Sequence, residues 1–211
     1  LLGPGAAAPG DAAPGDDLPP PLLRDLRRPP ATFDPARVLS RYGEAVGVPW
    51  SDARGLPHAT LERWAAVVAR PNVTLVCVNG REEGLLAAAA LQVNPSCSVV
   101  AYDRTGPDAV PLEFFMAKSF PGRFHRRPLS FGACDVVGLS PFRDGVGSRD
   151  PQLQQHELLG HVAKAQEHAR EQAVLFVAPA SGAGPVPPGW WAAWDEVLAS
   201  ERAWGIGLTG E

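Results

Sequence analysis

Four short apolar runs recur along the chain: TLVCV (74–78), CSVVAY (97–102), CDVVGL (134–139) and AVLFVA (173–178). Each is dominated by valine, leucine and other residues that suit a pleated surface, and none alternates regularly with polar positions. Strands made from such runs hide both faces. A sheet of this kind needs a helical layer on either side. The segments between the runs, REEGLLAAAALQV, PDAVPLEFFMAKSF and the stretch around LQQHELLGHVAKAQ, supply helix-like patterns. The alternation predicts an α/β chain: a Rossmann-like three-layer sandwich with a mostly parallel sheet. FHRRPLSF is expected to add a strand, Pro111 to break the helix it falls in, and GWWAAWDEVLASERAW to form a last helix.

Two helices are expected before the first run. In Phe-Asp-Pro, Asp34 is placed to cap a helix and Pro35 to occupy its first position, ahead of ARVLSRYGEAV. TLERWAAVVA follows, with Thr60 as its expected cap and Pro71 closing it. Upstream, residues 1–32 consist mainly of Pro, Gly, Ala and Asp, with little to bury in return for ordering. They are expected to form a disordered Pro/Ala/Gly-rich linker, and residues 33–211 one Rossmann-like domain. The opening LLGPG has no initiator methionine, as in a piece of something longer.

The net charge of −4, with seventeen arginines against two lysines, gives no overall basic footprint for nucleic acid. No apolar stretch is long enough to span a bilayer, and the start lacks the pattern of a secretion signal. Cys77, Cys97 and Cys134 are far apart in sequence, odd in number and show no C-x-x-C spacing. They read as buried free thiols suited to a reducing compartment.

Metal chemistry has one candidate, His-Glu-Leu-Leu-Gly-His at 156–161. Metalloprotease helices place histidines four apart so that both reach one ion. His156 and His161 are five apart, which turns them roughly 140° from each other on a helix. The stretch reads instead as an amphipathic helix, with Leu158, Val162, Ala165 and Ala169 inward and Glu157, His161, Lys164 and His168 on a polar stripe. No metal site is expected.

In such folds ligands meet the carboxyl ends of the strands. After Val78 the chain reads NGREEG, where Glu82 and Glu83 would repel a pyrophosphate and the G-x-G-x-x-G pattern is missing. Asp103, after the second run, stands where an acid could hold a ribose, although a strand-end aspartate is also an ordinary turn residue. In GLSPFRDG, Phe142 occupies the place of a methyltransferase cysteine, and Pro141 after Ser140 removes a backbone donor that an oxyanion hole would use. No catalytic or cofactor-binding residue is assigned. Arg123, Arg126 and Arg127, clustered with His125, and Trp191 beside Trp190 and Trp194 are the candidate partner-binding residues. A solvated loop and core packing are their structural alternatives.

The stretches FDPARVLS, LERWAAVVARP running into VTLVCV, LLAAAA, TGPD, DVVGLSPFRDG and AVLFVAPAS give the chain a family resemblance. It resembles the C-terminal region of the alphaherpesvirus major immediate-early transcription regulators over most of residues 29–204. The resemblance implies a non-enzymatic domain of a viral gene activator in the host nucleus, with no membrane contact. It implies protein–protein contacts with host transcription machinery, while DNA is bound by a separate region outside this chain. The alternative is an S-adenosylmethionine-dependent methyltransferase-like domain or an inactive relative, favoured by strand order, Asp103 and Asp135. On either reading Asp135→Ala is expected to destabilise little and Val137→Asp to unfold the domain.

Overall fold

A computed structural model describes residues 33–46, 56–80, 82–102, 109–126, 132–140 and 150–178, with Gly189, Ala192, Ala193, Asp195 and Glu196. The expected linker and Arg81, Asp103, Arg127, Pro141, Phe142, Trp190, Trp191 and Trp194 lie outside the described residues.

Helix α1 spans Pro35–Val46 and starts as its sequence dictates, with the backbone N–H of Arg37 donating to the Asp34 carboxylate at 3.3 Å. Helix α2 spans His58–Val68. It begins two residues before the expected cap, because Pro57 is its N-cap and Thr60 is buried within its first turn. Strand β1 (Leu75–Gly80) leads into α3 (Glu83–Val93), and β2 (Ser98–Ala101) into α4 (Ala109–Ser119). Pro111 does not break α4. It falls in the first turn, where the helix needs no N–H from it. Strand β3 (Phe124–Arg126) and strand β4 (Cys134–Ser140) follow.

Helix α5 (Pro151–His168) is capped by Asp150, which accepts from the N–H of Gln152 at 2.9 Å, and passes directly into β5 (Ala169–Val177). Leu158, Val162 and Ala165 form its inner face as the spacing predicts, but His168 leaves the polar stripe. It is buried, its ring edge-on to Tyr102 with centroids 5.0 Å apart. Ala169, read as the end of the helix face, is the first residue of β5.

The described strands form one parallel five-stranded sheet in the order β3-β2-β1-β4-β5. Val76, Val78, Val99, Ala101 and Val136 face one core layer with Trp64, Leu85, Leu86 and Met116 of α2, α3 and α4. Cys77, Val137 and Leu139 face the other, with Leu158, Val162 and Ala165 of α5. The fold is therefore the expected Rossmann-like sandwich. Helix α3 is buried through almost its whole length, lying between the sheet, α1 and α2. This explains why EGLLAAAALQV has almost no polar face.

Two details tie the central strands together. Gly138 is a glycine because a Cβ there would stand 2.7 Å from Cη2 of Trp64, whose indole N–H donates to the Leu86 carbonyl at 2.8 Å. Cys77 and Cys134 are joined by a disulfide, which corrects the expectation of free thiols for this pair; Cys97 remains free and buried. Their separation of 57 residues hides the contact, because β4 returns beside β1 only after β2 and β3 have been laid on β1's other side. No helix of the described residues is long and apolar enough to cross a membrane.

Candidate functional site

From β1 the chain builds outward to β2 and β3, then returns to place β4 on the opposite side of β1. The carboxyl ends of β1 and β4 therefore flank the topological switch point, where folds of this class open a ligand crevice. Asn79 and Gly80 end one strand, Leu139 and Ser140 the other, and all four are buried.

The two strands do not part at this end. Their pairing runs to the last residues, Gly80 opposite Ser140. Gly80 has φ +110°, and a Cβ on it would fall 1.8 Å from the Ser140 carbonyl oxygen, so only glycine fits. Ser140 Oγ is fully buried and has no hydrogen-bond partner among the described residues. By strand alternation Ser140 faces the same layer as Gly138, toward the helices packed by Trp64 and Leu86.

Above this seam stands the N-terminus of α3, a position that in nucleotide-binding folds of this class receives phosphate. Here it carries Glu82 and Glu83, both buried. Arg126, at the carboxyl end of β3, reaches Glu83 at 2.8 Å and Glu113 of α4 at 2.9 Å. The positive end of the helix and the nearby guanidinium thus face the chain's own carboxylates. Tyr102, buried at the end of β2, completes the rim.

The expected partner-binding cluster is divided by the fold. Arg123 donates to the Cys97 carbonyl at 3.0 Å and to the Asn94 carbonyl, and its guanidinium lies 5.9 Å from the Phe120 ring centroid. Arg126 is spent on the two glutamates, and His125 between them is half-buried. Arg127 and Trp191 lie outside the described residues. His156 is exposed on α5, and no group of three metal-ligating side chains forms among the described residues. Glu82 and Glu83 were legible as carboxylates but not as buried ones. The signal was the apolar run after them, since a helix hidden on all sides hides its first turn as well.

Asp135 lies at the opposite, amino end of the sheet. It is buried and accepts hydrogen bonds from the backbone N–H groups of Thr74 and Leu75 and from the Thr74 hydroxyl, and it is ion-paired with Arg170 of β5. It joins three strands and stands away from the ligand edge, so it lends no support to a methyl-donor site.

Neither family models nor curated proteins give a match to this sequence. Solved structures do. A protein from Corynebacterium glutamicum is similar over 81% of this chain and 82% of its own, at 15% identity and a TM-score of 0.53. Coclaurine N-methyltransferase bound to N-methylheliamine and SAH is similar over 74% of this chain and 48% of its own, at 15% identity and a TM-score of 0.45. Human N-acetylserotonin methyltransferase in complex with SAM is similar over 74% and 46%, at 14% identity and a TM-score of 0.32. The chain thus spans about half the length of these two methyltransferases. At such identities the likeness concerns the fold, and the chain carries a Rossmann-like α/β domain.

Proposed function

We propose that this is a methyltransferase-like Rossmann domain without a working methyl-donor site, which acts by binding other proteins. The observation that carries the reading is the pair of buried carboxylates, Glu82 and Glu83, at the start of α3, where a helix of this fold class would receive an anionic ligand. Gly80 and Ser140 stay paired to the ends of their strands, and no side chain fits at position 80. The α3 N-terminus is met by Glu82 and Glu83, so the carboxylate of a bound methionine group would be repelled. Neither feature supplies a positioned nucleophile or general base.

The active-enzyme reading makes the opposite demand, and one titration separates the two. Calorimetry with S-adenosylmethionine is expected to show no binding. Micromolar affinity would restore the methyltransferase reading.

The class of partner rests on the sequence resemblance, which supports a place in a viral immediate-early regulator, host transcription machinery as the target and the host nucleus as the setting. The residues that carry it, LERWAAVVARP and VTLVCV, build α2 and β1 at the centre of the fold. A basic DNA-binding region encoded upstream in the same reading frame is the expected finding. A bacterial operon around the gene would end that assignment.

A further inference from the structure

The seam between β1 and β4 is held at three levels. At its amino end Asp135 takes the backbone N–H groups of Thr74 and Leu75, and at its carboxyl end Gly80 pairs with Ser140. On the face covered by α5, the Cys77–Cys134 disulfide crosses the seam as well, from the middle of β1 to the first residue of β4. Both cysteines are fully buried in the core layer that contains Val137, Leu139, Leu158 and Val162, so α5 covers the sulfurs. A soluble thiol cannot reach them while that helix is seated. The third cysteine, Cys97, belongs to the core layer on the other face of the sheet. Burial pushes its thiol up, with Arg123 opposing in part, so it is a poor attacker of the pair.

We propose that the Cys77–Cys134 pair is a redox-set lock on the β1–β4 seam, written while the chain folds and erased only when α5 lifts from the sheet. In closing, the thiolate of one cysteine attacks a sulfur of a small disulfide such as glutathione disulfide and releases one glutathione thiolate. The second cysteine then attacks the mixed disulfide and expels the other glutathione. Two electrons pass from the protein to glutathione, two protons are lost, and the reverse needs two thiols. The strand ladder and the Asp135 bonds do not depend on the sulfurs, so the reduced domain stays folded with a looser seam. Disulfides persist in oxidising surroundings, and the state of this lock therefore records the compartment in which the chain folded.

The test is differential alkylation of the chain equilibrated with glutathione disulfide, read by peptide mass spectrometry. Denaturation alone should expose Cys97 to the first reagent, and Cys77 and Cys134 should react only after reduction. Unfolding in denaturant with a phosphine and refolding in its presence should lower Tm by about 10 °C in the wild type and in Cys97→Ser, but not in Cys77→Ser/Cys134→Ser. Should that double variant fail to fold, hydrogen exchange on the wild type refolded with and without phosphine replaces it. Faster exchange confined to the peptides around 75–79 and 134–138 would support the lock. Alkylation of all three cysteines without reductant, a Tm unchanged after refolding with phosphine, or unchanged exchange at the seam would overturn it.

Discussion

Asp135 and Thr74 are joined twice: one carboxylate oxygen accepts both the backbone N–H of Thr74, at 2.6 Å, and its hydroxyl, at 2.9 Å. The same oxygen takes the N–H of Leu75 at 2.8 Å, and Arg170 pairs with the carboxylate from β5. Removing it strands two backbone donors at the start of the central strand. Asp135→Ala is therefore expected to cost about 3 kcal/mol in urea unfolding, against the small loss that the sequence suggested. Asp135→Asn, which keeps an acceptor, should cost less. Equal, negligible losses for both variants would remove Asp135 from this role.

Val137 is fully buried in β4, facing Cys77, Leu139, Leu158 and Val162. Val137→Asp places a carboxylate among these groups with no partner in reach, which exceeds the margin of an ordinary domain. The expected result is a chain without a cooperative thermal transition. A folded variant with a Tm near that of the wild type would show that this face of β4 is open to water.

The sheet was legible in the sequence because each strand advertises itself locally: LVCV, SVVA and CDVVGL need no knowledge of their neighbours. What was hidden depends on strand order. Asp135 was counted toward a methyl-donor site because the sequence does not show that its carboxylate meets the start of β1 and Arg170 of β5. Cys77 and Cys134 looked unrelated because β1 and β4 are neighbours only after the crossover. Arg123 and Arg126 read as a basic surface because their acceptors, the carbonyls of Asn94 and Cys97 and the carboxylates of Glu83 and Glu113, come from three other segments. At the rim, the lack of a nucleotide pattern in NGREEG was readable, whereas the close approach of Gly80 to the Ser140 carbonyl was not.

Gly138 and Trp64 form a knob and its socket. A methyl group at 138 would meet Cη2 of the indole at 2.7 Å and Cζ3 at 3.0 Å, while the indole N–H is held by Leu86. Gly138→Ala is expected to cost about 2–3 kcal/mol through overpacking. Trp64→Phe removes the outer ring and should relieve that clash, so the double variant is predicted to lose at least 1 kcal/mol less than the sum of the singles, on the order of contact couplings elsewhere. Strict additivity in chemical denaturation would mean that the two do not touch.

Arg126 and Glu83 test whether the basic cluster belongs to the surface or to the fold. Their side chains are only 14% and 5% exposed, and the pair closes the gap between β3 and the start of α3. Arg126→Met takes from the buried Glu83 the guanidinium that pairs with it at 2.8 Å, for a loss of about 3 kcal/mol. Removing both charges in Arg126→Met/Glu83→Met takes away the desolvated carboxylate as well, so the double variant should be more stable than Arg126→Met alone. That ordering marks a structural pair, because it arises only if the carboxylate left behind is the source of the damage. If Arg126→Met is instead neutral in urea unfolding but weakens capture of a partner protein, the guanidinium faces outward and the binding role expected from GRFHRRPL stands in its place.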